Sequence, residues 1–136
     1  MRYLVQIVYR GGIIRQKVED TSAIPPSIVT GGARREVERR LYAIPRLCEK
    51  LERVNGQEAL AITWEIDSIR QALQVVSQDP YYPLIPAKYF QGAKERTAAA
   101  LCACDKATVW RNRTRLLDVL ALCLFGVSAW DRTRNW

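Results

Sequence analysis

The sequence predicts a mainly α-helical protein: a helical support in the N-terminal part, followed by a C-terminal helix-turn-helix. A short β-hairpin is expected at the extreme N-terminus. Two observations carry this. Ile62, Ile66, Ile69, Leu73 and Val76 recur at steps of four, three, four and three, the spacing of an amphipathic helix. Further on, CDKATVWRNRTRLL (Cys104 to Leu117) places one acid, Asp105, ahead of an apolar stripe threaded with four basic residues. A carboxylate there caps a helix, because it accepts amide hydrogens of the first turn and sits at the positive end of the helix dipole. The length of 136 residues suits one domain, or two small units sharing a core. A chain of this size buries roughly two thirds of its unfolded surface.

Residues 1–32 form the first segment. The β-rich runs MRYLVQIVYR and IIRQKVED flank Gly11-Gly12, a pair able to take the positive φ angles of a two-residue hairpin turn. A short helix or a loosely ordered leader are the alternatives. An isolated hairpin is marginal in water and needs a surface to dock on. TSAIPPSIVTGG reads as a linker, with Pro25-Pro26 and Gly31-Gly32 opposing regular structure.

Residues 33–79 form the helical support, a region suited to oligomerisation. Val37, Leu41 and Ile44 share one face, as do Leu47, Leu51 and Val54. Pro45 removes an amide donor and crowds the preceding turn, so a kink or two consecutive helices are expected. Asn55-Gly56 ends that helix, glycine suiting a left-handed cap. The Ile62–Val76 stripe then packs against the preceding helix, and the same stripe would also suit a dimer interface.

Residues 80–126 form the helix-turn-helix unit, and 127–136 a tail with Trp130 and Trp136. The aromatic stretch DPYYPLIPAKYFQG joins the two regions. Its tyrosines and Phe90 invite stacking on single-stranded nucleic acid, but helical packing accounts for Ile85, Tyr89 and Phe90 without it. Lys94 to Cys102 is a short alanine-rich helix, with Ala99 facing its successor and Leu101 or Cys102 the core. Ala103-Cys104 is the turn. The second helix runs from about Lys106 to Leu124, with Gly126 near its cap.

On a helical wheel centred on Val109, Leu116, Leu120 and Cys123 fall within about 40° and form the buried stripe. Ala107, Arg111, Thr114 and Asp118 fall opposite, and Trp110 lies on one flank. A polar, basic first half and an apolar second half are what a DNA recognition helix requires, with its first turns in the major groove and its far end anchored. The expected base-reading residues are therefore Lys106, Ala107, Trp110, Arg111 and Thr114. Arg111 is suited to a bidentate contact with guanine. Lys94, Arg96, Thr108, Arg113 and Arg115 are the expected phosphate contacts, which position the protein without reading sequence.

Charge agrees with this division. The formal net charge is +7, and residues 80–136 hold nine basic against four acidic groups, whereas residues 34–79 hold eight of each. The expected partner is a polyanion, double-stranded DNA. The four cysteines show no C-x-x-C spacing and the chain contains no histidine. No metal or cofactor is expected, and histidine-activated nucleophilic catalysis is excluded. With no signal peptide evident and no apolar run long enough to span a bilayer, a cytoplasmic protein is expected.

Several motifs resemble the RinA/ArpU-type late-transcription regulators of phages and prophages of Gram-positive bacteria. Asp105 to Arg111, DKATVWR, is similar to the S-x-x-T-V-x-R core of the recognition helix in the sigma-factor C-terminal domain. YAIP at Tyr42–Pro45 precedes a long helix containing IDSIRQAL at Ile66–Leu73. KYFQG at Lys88–Gly92 precedes the helix-turn-helix. The run T-V-x-R-x-R-x-R-L-L at Thr108–Leu117 leads to LFG at Leu124–Gly126. The likeness spans roughly residues 33–126. It departs from the family at Ala98-Ala99, where Ile-Ala is usual, and at Arg113, where an apolar residue is common. The resemblance implies an activator of phage late genes, acting beside or upon RNA polymerase. Two other readings compete with it: a DNA-packaging adaptor of the small-terminase kind, assembled as a ring, and an interaction module using the Ile62–Val76 stripe. Salt-dependent DNA binding separates the last from the others, and native mass separates the first two.

Overall fold

The computed structural model describes residues 3–4, 17–18 and 29–129. Tyr3–Leu4 (β1) and Lys17–Val18 (β2) pair antiparallel, Tyr3 opposite Val18 and Leu4 opposite Lys17. The Gly11-Gly12 turn expected between them lies outside the described residues, as do Pro25-Pro26, Trp130 and Trp136. Among the described residues five helices follow: α1 (Gly31–Leu51), α2 (Gly56–Val76), α3 (Leu84–Tyr89), α4 (Glu95–Leu101) and α5 (Lys106–Phe125). A 3₁₀ turn closes the series at Gly126–Ala129. The protein is thus mainly helical, as its periodicity predicts.

α1 begins two residues earlier than expected. Thr30 is its N-cap, the hydroxyl accepting from the Ala33 amide at 3.0 Å. Gly31-Gly32 is therefore the first turn of a helix and not the end of a linker: a good cap offsets the cost of two glycines. α1 also runs through Pro45 as one helix, so the expectation of two consecutive helices is corrected. Val37, Leu41 and Ala43 before the proline are buried, and Leu47 and Leu51 beyond it are half-buried, so one apolar face continues past Pro45 and favours an unbroken helix. Gly56 does adopt a left-handed φ of +67°, but it opens α2, α1 having already ended at Leu51.

The main core lies where α1, α2 and α5 meet. Val37 and Leu41 pack there with Ile69, Ala72, Val75 and Val76, and with Leu116, Val119, Leu120 and Leu122. Ile62, Ile66, Ile69 and Val76 are all buried within the chain. They are unavailable to a partner, so the dimer interface and interaction module imagined on that stripe are ruled out. A second cluster, Leu84, Ala98 and Val109, lies under the helix-turn-helix, with Tyr81, Ala99, Cys102 and Cys104 against it. The alanine buried at the crossing is Ala98, with Ala99 half-buried; Leu101 faces solvent. Of the two residues expected toward the core, Leu101 or Cys102, it is Cys102 that packs there. Tyr89 is buried, its ring edge-on to Tyr42 at 4.8 Å and its hydroxyl donating to Glu38 at 2.6 Å, so it serves packing and not base stacking. No helix of the described residues is long and apolar enough to cross a membrane.

Candidate nucleic-acid interface

α4, the turn and α5 form the expected helix-turn-helix. The turn is set by Ala103, which takes a positive φ of +52°, a conformation that costs an alanine about 1 kcal/mol. Its amide donates to the Ala100 carbonyl at 3.2 Å, and the Cys104 amide to the Ala99 carbonyl at 3.1 Å. These bonds satisfy the last carbonyls of α4 while the chain reverses. Asp105 then caps α5 as predicted. Its backbone is extended and its carboxylate accepts from the Thr108 amide at 2.7 Å. That bond is the main reason its carboxyl is held below the ordinary range.

The first two turns of α5 carry the exposed chemistry. Lys106, Ala107, Trp110 and Arg111 face solvent, Trp110 being 60% exposed. An indole folded back on α4 would be covered, so Trp110 is not packed against that helix. Arg111 is tethered to the Thr108 hydroxyl at 3.2 Å. Lys94 and Arg96, at the head of α4, are exposed too. Lys94, Arg96, Lys106 and Arg111 thus give this unit four exposed cations, with the indole beside Arg111 on α5.

Three of the expected contacts are corrected. Arg113, Thr114 and Arg115 are buried, at 6%, 8% and 6% exposure. Arg113 donates to Glu95 at 2.9 Å, tying α5 to the first turn of α4. Arg115 donates twice to Asp79, at 2.9 and 3.1 Å. Asp79 also accepts from the Tyr81 amide at 2.9 Å. Asp118, placed opposite the core by the wheel, is fully buried and receives Arg34 at 2.8 and 3.3 Å. The physical reason is common to all four. From Arg113 to Leu122 every residue of α5 is buried, so a wheel that assumes one wet face does not apply.

One residue outside the expected set links the buried and exposed halves. Asn112 accepts from Arg115 at 3.0 and 3.3 Å and donates to the Thr108 carbonyl at 2.9 Å. A chain of bonds therefore runs from Asp79 through Arg115 and Asn112 to Thr108, which anchors Arg111. The i−4 and i+3 spacings of Asn112 to Thr108 and Arg115 were visible in the sequence; the fixed position of Arg115 was not. Among the described residues no group of three His, Cys, Asp or Glu side chains is placed to hold a metal ion. No protein-family model, no curated protein and no solved structure matches the chain.

Proposed function

We propose that the chain is a sequence-specific regulator of transcription that binds double-stranded DNA, with the first two turns of α5 in the major groove. The observation that carries this is the division of α5: an exposed, cationic N-terminal end on a helix whose remaining length is locked into the core. In this reading Arg111, Lys106, Ala107 and Trp110 meet base edges, while Lys94, Arg96 and the Thr108 hydroxyl meet phosphates. Arg113, Thr114 and Arg115 support the unit from within. The resemblance to late-gene regulators supports the finer assignment, an activator working with RNA polymerase inside a bacterial host cell. The reading gives the chain no catalytic step.

The test is binding to genomic fragments flanking the gene, titrated with salt, beside Arg111→Ala. One enriched fragment should emerge, its affinity falling steeply with salt as counterions are released. Arg111→Ala should lose about 1–3 kcal/mol of preference for that fragment, with random-sequence binding weakened far less. Equal losses on specific and random DNA would defeat the assignment of Arg111 as a base reader. Absence of salt-sensitive binding would defeat the whole reading.

A further inference from the structure

The side-chain amide of Asn112 is held in a single orientation by its two neighbours. Arg115 has only donors, so the bonds it sends to Asn112, at 3.0 and 3.3 Å, mark that end of the carboxamide as oxygen. The other end is then nitrogen, and it meets an acceptor, the Thr108 carbonyl, at 2.9 Å. Both contacts demand the same orientation. A flipped amide would face Arg115 with an NH2 group and the Thr108 carbonyl with an oxygen, two repulsive pairs. Arg115 is itself fixed, because Asp79 holds its guanidinium through bonds of 2.9 and 3.1 Å.

An amide nitrogen of this kind carries two hydrogens. One serves Thr108. The second has no protein partner among the described residues, and the side chain is half-exposed, so this N–H stands in water with its direction set. The oxygen is taken by Arg115. Bidentate reading of adenine needs a donor and an acceptor from the same amide, which Asn112 therefore cannot supply. What it offers is one neutral donor, suited to a group that only accepts. On the helical wheel Asn112 lies about 100° from Arg111, on the flank of Thr108 and away from Trp110. With Arg111 turned to the base edges, that flank faces the wall of the major groove, which is sugar-phosphate backbone.

We infer that Asn112 donates to a phosphate oxygen of the duplex, a contact prepared in advance by the buried Asp79–Arg115 pair. The assignment rests on the DNA-binding reading above. On the fragment enriched in the salt titration, ethylation of one phosphate should block the wild type through this contact. That phosphate should cease to matter in both Asn112→Ala and Asn112→Asp. Asn112→Ala should bind specific and random duplex about tenfold more weakly, as for loss of one neutral donor to a charged acceptor. Its salt slope should stay that of wild type, because a neutral donor releases no counterion, whereas Lys94→Ala should lower the slope by about one. Asn112→Asp keeps an oxygen for Arg115 and so guards against loss of the fold; its added charge repels every duplex, so it is read by the interference pattern alone. Both variants should remain helical and melt cooperatively. An unchanged interference pattern overturns the proposal. So does a loss confined to the enriched fragment, which would make Asn112 a base reader or a support of Arg111, or a loss that follows the unfolded fraction. A wild type without salt-sensitive binding to any duplex defeats the DNA-binding reading itself, and this contact with it.

Discussion

At the scale of single residues, the two arginines at positions 111 and 115 carry the same charge and have opposite fates. Arg111 stands in solvent; Arg115 is sealed against Asp79, itself 5% exposed. Removing one partner of a buried pair strands the other charge in a poor dielectric, at a cost of about 3–5 kcal/mol. Arg115→Ala should therefore lower unfolding free energy by that amount in urea titrations, and any DNA defect should track the unfolded fraction. Arg111→Ala should stay within about 0.5 kcal/mol of wild type. Wild-type stability in Arg115→Ala would contradict the burial described. The wheel placed Arg111 outward correctly because only the first turns of α5 have a free side. It could not place Arg115 or Asp118, whose partners lie 36 and 84 residues away in sequence.

At the scale of elements, the local signals were the readable ones. Asp105 as a cap, the Ala103-Cys104 turn and the span of α5 all follow from interactions within a few residues. Thr30 as a cap was equally local, but the double glycine masked it. Pro45 illustrates the other limit: its intrinsic cost is written in the sequence, while the packing that outweighs it is not. The cap makes a measurable prediction. Asp105→Ala should cost about 1 kcal/mol and should speed hydrogen exchange at the Thr108 amide, the donor it leaves without an acceptor. Exchange at the α1 amides should change only by the global loss. Unchanged exchange at Thr108 would show that the cap does not hold the turn.

For the whole molecule, the bond between Arg34 and Asp118 joins α1 to α5 at the one carboxylate that is fully buried among the described residues. Burial outweighs the attraction of Arg34 and pushes the Asp118 carboxyl up to about 6, from an ordinary 3.8. The folded state therefore holds this proton more tightly than the unfolded chain does. The stability it contributes is fully present below pH 3.8 and is lost as pH rises through about 6. Glu36 works in the other direction and in a lower window. Its bonds to Arg39 and Arg40 pull its carboxyl from 4.5 to about 2, so its contribution is lost as pH falls through that range. Between pH 4 and 6 the Asp118 effect should show as a stability difference between wild type and Asp118→Asn. That difference should shift in favour of wild type on acidification, by at most about 1.4 kcal/mol per pH unit. A difference constant with pH would mean that Asp118 stays ionised in the fold. A further global feature is the bond from the Thr30 amide to the Ala129 carbonyl, 3.0 Å long. It brings the entrance and exit of the helical body to one point, so in topology the body is nearly a closed ring. A short bridge from 129 to 29, with new ends opened in an exposed connection such as 52–55, would reorder the chain and keep every helix contact described above.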